Sequence, residues 1–421
     1  MKRKEILLII AVIAFGVIYN FVKSGDIRFY SGCSVGSREL LDRKHPVRFI
    51  QKEIEFPAGT IGKIKINNPA GDIEVEKSKD DSILVKPVIR VYHKNKDRAQ
   101  EICGTVQVST RKTGKKIVIG VDSDERFPYR RVRVGFKCLI PEDVELDLKN
   151  RYGDIGIKDA GQDIKIDESH GNLFIKNIDS TLKVKSHHGR IRLYDIKDQI
   201  ELSSNHSRIK IKNVASIIVK CSHANLYIND VKEETEIIYA SYSLLDIEKA
   251  NYLYIDAKHT KINLENIKEG VKINNSHAPI YMKDITGNIN IKAKQCKIAL
   301  DNVISDYLTI KNSYNDIDIE DISGKNLNLL LKNGDLTIAF DNIEEGINIK
   351  TEHADVELEY PNPVKPAFNI TSKNGRIINR TAAELTVLEE NQKRMVNIPE
   401  GKPQIIIDTL YGDVILKNPG K

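Results

Sequence analysis

The chain has 421 residues, with 65 Lys and Arg against 59 Asp and Glu, a net charge of +6 and no Trp. That length allows two or three ordinary domains or one elongated repeat array. The charge is spread along the chain, which argues against a dedicated nucleic-acid surface and leaves room for weak attraction to anionic lipid or polysaccharide.

The apolar content is dominated by Ile, and Asn and Asp are abundant. This combination predicts many short strands joined by tight turns. The five cysteines, Cys33, Cys103, Cys138, Cys221 and Cys296, are odd in number and contain no CxxC pair. They give neither a disulfide framework nor a structural zinc site, although Cys103 and Cys138 flank strand-like runs and are a candidate pair.

Lys2, Arg3 and Lys4 precede an apolar run from Ile6 to Val22. As a helix that run spans roughly 25 Å, at the short end for crossing a bilayer. Residues 1–24 are therefore read as an N-terminal transmembrane anchor, with the basic flank in the cytoplasm and the remainder in the periplasm or cell exterior. A cleaved signal peptide is the rival reading, but no convincing small-x-small site follows the run.

Residues 25–145 read as a β-rich cap. Ile64-Lys65-Ile66 and Gly71-Asp72-Ile73-Glu74-Val75 look like early coil strands, His93 to Ile102 is helix-compatible, and Val106–Val121 and Arg131–Leu148 read as longer strands.

From residue 146 to 360 one phrase recurs. It is Tyr-Gly-Asp-Ile-Gly-Ile at 152–157, His-Gly-Asn-Leu-Phe-Ile at 170–175, His-Gly-Arg-Ile-Arg-Leu at 188–193, and later Asn-Gly-Asp-Leu-Thr-Ile at 333–338. Its first apolar strand residue falls at Ile155, Leu173, Ile191, Ile209, Leu226, Leu245, Ile262, Ile280, Ile298, Ile317, Leu336 and Val356, a beat of 17 to 20 residues. A second apolar-x-apolar strand follows about nine residues later, as at Ile164/Ile166 and Leu182/Val184. Each half-repeat thus has one buried and one wet face. No copy can bury its apolar face alone, so the copies must stack. The fold class predicted is all-β: a parallel β-solenoid with coils of about 18 residues, plus the N-terminal transmembrane helix. Residues 361–421 read as a C-terminal cap. There Thr381–Met395 is an insertion with helical composition, and Ile405–Asp408 with Gly412–Leu416 forms a last coil.

Three residues before each register position stands a candidate turn ladder: Tyr152, His170, His188, His206, His223, Tyr242, His259, His277, Gln295, Tyr314, Asn333 and His353. Rings and amides in such a column stack and hydrogen-bond between coils, a structural role. Adjacent imidazoles also suit Zn²⁺ or Cu²⁺, but no fixed carboxylate accompanies them, so no metal or other cofactor is assigned. There is no GxSxG, P-loop or HExxH motif. Coils this uniform leave little room for a walled cleft.

The repeated Gly-Asp-Ile-x-Ile phrase, preceded by Phe136-Lys137-Cys138-Leu139-Ile140-Pro141, resembles the bacterial putative-adhesin β-strand-repeat family over roughly residues 55–360. The resemblance implies a bacterial, extracytoplasmic, non-enzymatic β-helix, right-handed, with no catalytic residues to carry over. The function expected is a membrane-anchored, adhesin-like scaffold with a surface protein or glycan as partner. A polysaccharide-binding or polysaccharide-cleaving solenoid is the alternative.

Overall fold

The computed structural model describes residues 47–419, apart from residues 58, 81, 124–127 and 129. The apolar run read as a transmembrane helix lies outside the described residues. Among the described residues no helix is long and apolar enough to cross a membrane.

Each apolar-x-apolar triplet becomes a short strand, and the chain winds so that every triplet stacks on its equivalent one turn later. On a first face, Ile155 pairs with Leu173, Leu173 with Ile191 and Ile191 with Ile209, all parallel. The register continues through Leu226, Leu245, Ile262, Ile280, Ile298, Ile317 and Leu336 to Val356. A second face is built the same way, for example Leu146–Ile164–Leu182 and Leu253–Val271–Ile289–Leu308–Leu327–Ile347. The two faces enclose a continuous core of Ile, Leu and Val that is essentially inaccessible to solvent. Burial of each such side chain contributes about 1.5–3 kcal/mol. The fold is thus a parallel β-solenoid with coils near 18 residues.

Between the faces the chain turns through a left-handed residue, Asp159, Asn177, Asp195, Asn213 and their successors, with φ near +55°. Asn and Asp enter this region at low cost and can hydrogen-bond locally while there. Here they also bond between coils, Asn177 Nδ2 donating to Asp159 Oδ1 and Asn213 Nδ2 to Asp195 Oδ1, each at 2.7 Å. The residue following, such as Ile178, Ile196 or Val214, turns back into the core.

The Gly-Asp phrase has a separate cause. The carboxylate of Asp154 accepts the backbone N–H of Asn172 one coil on, at 2.8 Å, and Asp316, Asp335 and Asp355 do likewise for Asp335, Asp355 and Asp413. Before it, Gly189 takes φ +143° and lies so close to the coil beneath that a Cβ would sit 1.8 Å from the Gly171 carbonyl oxygen.

The coils do not stack strictly in chain order. The strand Lys63–Asn68 lies between Lys116–Ser123 and Glu145–Tyr152, parallel to both. Likewise Ile73–Lys77 lies between Val132–Ile140 and Ile155–Ala160. The first coil in sequence is therefore the second in space. At the other end, Gln404–Thr409 lies between Gly346–Thr351 of the array and Ala367–Lys373, and Val414–Lys417 lies between Val356–Glu359 and Ile377–Arg380. Antiparallel strands then cover the outermost edges: Val106–Thr113 and Ile83–Val91 at one end, Lys393–Ile398 at the other. Bare edges would invite pairing with another chain.

A short helix, Lys96–Gly104, occupies the polar segment where one was expected, capped by Asn95 accepting from the Arg98 N–H. The helical reading of Thr381–Met395 is corrected. That segment carries the strands Leu388–Glu390 and Lys393–Ile398, joined by a two-residue turn with Asn391 and Gln392 both at positive φ. Its Ala, Glu and Leu favour helix only weakly, and pairing with Ala367–Lys373 overrides them. The candidate disulfide is also corrected: Cys103 and Cys138 are both free thiols.

Candidate functional site

The turn closing each second-face strand dictates the ladder. His206, His223, Tyr242, His259, His277, Gln295, Tyr314 and His353 all adopt φ between +46° and +64°. At Tyr152, His188 and Asn333 the following glycine takes the positive φ instead. His and Asn are among the non-glycine residues that enter this region most readily, so the backbone accounts for much of the slot's composition. The rings form an unbroken column from Tyr152 through His170, His188, His206, His223, Tyr242 and His259 to His277, with centroids 4.5 to 5.3 Å apart, stacked except at His188, which is tilted against both neighbours. Gln295, Tyr314 and Asn333 carry the slot onward, and His353 stacks on Tyr411 at 4.7 Å. Desolvation first, then the neighbouring imidazoles, hold His188 below the ordinary histidine range. Desolvation, His259 and two lysines do the same at His277. Among the described residues no three His, Cys, Asp or Glu side chains converge as metal ligands.

Two positions before each ladder residue a side chain points inward. Asn150 donates to the carbonyls of Gly71 and Gly153, and Asn275 to those of Thr260 and Ala278. In the same column Glu168 is fully buried beside Asn150 and Ser186. Ser186 Oγ donates to its Oε2 at 2.9 Å, and burial pushes its carboxyl up to about 8. Cys138 and Cys221 are buried and pushed up to about 12 and about 11, so neither is a nucleophile at neutral pH.

A walled groove of about 1320 Å³ runs along the second face toward the C-terminal end. The expectation that short loops leave little room for one is thereby corrected. The wall does not come from a long loop on one coil. It comes from the hairpin Leu388–Ile398, which brings Glu390, Asn391 and Lys393 to the rim. The floor is set by period-two geometry, which turns alternate side chains outward in register. One column holds Lys292, Lys311, Leu330 and Lys350, and the column beside it Lys294, Lys332 and Lys373. The seven lysines stand against three carboxylates, Glu352, Glu390 and Asp408. Elsewhere a lysine commonly meets an acid on the next coil, as in Lys183–Glu201 and Lys283–Asp301, at 2.8 and 2.9 Å. Within the groove Lys332 meets Glu352 at 3.5 Å, and no other ion pair forms there among the described residues.

The sequence profile of the Toastrack DUF4097 family matches this chain twice, over residues 61–244 and 216–417. The chain belongs to the Toastrack family. The two overlapping matches fit an array holding more coils than one copy of the profile spans. No curated protein sequence matches this Toastrack chain. Among solved structures it is similar to a "putative cell adhesion protein" from Clostridium sporogenes, at 9% identity over 89% of this chain and 100% of that one, with a TM-score of 0.19. It is also similar to a "putative adhesin" from Bacteroides fragilis, at 11% identity over 90% and 98% of the two chains, with a TM-score of 0.23. Likeness at this level carries no argument about what the Toastrack chain does.

Two features of the Toastrack array escaped the sequence reading. Tyr411 is the ladder residue of the last coil, 58 positions after His353, because the chain builds its outermost coil before returning to this one. The groove lysines were visible only as members of an evenly charged chain. The signal that could have found them is the outward position three residues after the second-strand triplet begins, where Lys recurs at 292, 311 and 350 once the coils are aligned.

Proposed function

We propose that this Toastrack protein is a membrane-tethered, extracytoplasmic, adhesin-like scaffold that holds a ligand rather than transforming one. The observation that carries the reading is the groove: a built concavity on a rigid array, lined by cations that the protein itself leaves largely unpaired. Its polar groups are mainly lysine, amide and hydroxyl, with the carboxylates Glu352, Glu390 and Asp408 in the minority. Of the two polysaccharide readings, binding is favoured over cleavage. Hydrolytic cleavage of a glycoside ordinarily needs two free carboxyl groups about a nucleophile's reach apart. Of the three groove carboxyls Glu352 is engaged by Lys332, and the seven lysines that outnumber them suit holding an anionic chain.

The tether rests on Lys2-Arg3-Lys4 and the apolar run that follows. Expression of the full chain in a bacterium, followed by fractionation and protease treatment of intact protoplasts, tests it. The reading expects a membrane fraction that needs detergent for release and a solenoid degraded from outside. A soluble protein protected inside intact protoplasts would overturn it.

A further inference from the structure

We infer that the groove binds a linear polyuronate, a polysaccharide carrying one carboxylate on each sugar. The inference rests on the scaffold reading above and names the ligand class for its groove.

The first ground is spacing. Lys292 and Lys311 are direct neighbours on adjacent parallel strands, and Lys350 follows two strands beyond Lys311. Neighbouring strands lie ~4.8 Å apart, so the column presents cations at whole multiples of that spacing, one step from Lys292 to Lys311 and two from Lys311 to Lys350. Like charges directly opposite one another destabilise a sheet. Neutralising them with an extended polymer lying across the strands relieves that repulsion, and one carboxylate per sugar suits the interval.

The second ground is Leu330. It stands in the same column between Lys311 and Lys350, and is 45% exposed. A single apolar side chain flanked by cations matches the C–H face of a sugar ring flanked by carboxylates. Asn274, Ser276, Ser313, Thr371 and Asn391 supply amides and hydroxyls around it for sugar hydroxyls.

The third ground is what the lining omits. It contains no Phe, Tyr or Trp, whereas single-stranded nucleic acid is held on aromatic stacking platforms. A bilayer surface would need a flat or protruding basic face, and this one is walled by the hairpin Leu388–Ile398. The array also has a flat basic patch on its first face, where Arg190 adjoins Arg208 and Arg192 adjoins Lys210. That patch supplies the control for charge alone.

The test uses the full chain in detergent, with polygalacturonate as the probe and calorimetry or fluorescence anisotropy as readout. Binding is expected to be salt-sensitive and to disappear with the fully methyl-esterified polymer, which keeps the sugars and loses the charge. The double variant Lys311→Gln/Lys350→Gln should weaken binding about tenfold. Arg208→Gln/Lys210→Gln, with the same change of net charge, should weaken it less than about twofold. Leu330→Gln should weaken binding while leaving its salt dependence unaltered. Lys311→Gln should also raise the melting temperature slightly, which excludes misfolding as the cause of lost binding.

Equal losses from the two double variants would overturn the inference in favour of non-specific attraction. Absence of binding to polygalacturonate at low salt would overturn it as well, as would tighter binding to single-stranded DNA or to anionic vesicles. Each of these leaves the membrane-tethered scaffold standing, because that reading is judged by fractionation and protease access.

Discussion

Glu168 is the buried carboxyl whose environment makes the sharpest prediction. It is fully buried in a column otherwise held by Asn, Ser, Thr, Cys, Ala and Leu, and burial raises its carboxyl from the ordinary 4.5 to about 8. At neutral pH the folded protein therefore keeps it protonated, while the unfolded chain ionises it. The folded state binds more protons between pH 4.5 and about 8, so this group's contribution to stability is full below 4.5 and is lost as pH rises through about 8. At about 1.4 kcal/mol per pH unit, the interval corresponds to a ceiling of about 5 kcal/mol. Glu168→Gln removes the ionisation, keeps the shape and supplies a permanent N–H donor like that of Asn150 beside it. Chemical denaturation from about pH 5 to about pH 9 should show wild-type stability declining across the window and the variant declining far less. At about pH 9 the variant should be the more stable by one to several kcal/mol, within that ceiling. Parallel pH profiles, or a variant less stable than wild type at about pH 9, would show that the carboxyl is ionised in the folded coil and that the argument from burial is wrong.

The ladder predicts the opposite slope. The folded-state values of His188 and His277 lie below the unfolded 6.5, so their contribution is present above 6.5 and is lost as pH falls. In the Glu168→Gln background the melting temperature should drop between about pH 7 and about pH 5, and His188→Asn/His277→Asn should shallow that drop; a flat profile before substitution counts against it. Gly189→Ala should cost more than about 3 kcal/mol, because the new Cβ meets a carbonyl at an unfavourable φ. Gly156→Ala, which opens onto empty space, should change stability by less than about 1 kcal/mol in the same denaturation assay. Ile255→Ala, fully buried between Ile237 and Ile273, should cost about 2–5 kcal/mol, and a smaller loss would mean that the coils close over the cavity.

The central array was legible in the sequence because its signal is physical and local. An apolar pair recurs, Asn or Asp marks most of the left-handed corners that follow it, and a second apolar pair follows nine residues on. These fixed which residues stack, from Ile155 to Val356. The ends were not legible in the same way, since a strand does not record which neighbour it will sit between. Nothing local in Lys63–Asn68 says that Lys116–Ser123 will return to cover it. The hairpin Leu388–Ile398 was misread because its composition favours helix and only the waiting edge of Ala367–Lys373 makes it a strand. The groove was missed for the same reason, since its wall depends on that hairpin.

The interleaving at both ends changes how the molecule bears load. A solenoid wound strictly in chain order can be peeled from either terminus, one interface at a time. Here the last strands along the chain, Gln404–Thr409 and Val414–Lys417, are each gripped on two sides. Tension drawn through that end must shear both seams together before any slack is released, and the coil threaded through Lys63–Asn68 meets the same condition at the opposite end. A solenoid built this way and pulled at its ends would thus yield late and all at once, rather than unreeling from its tips.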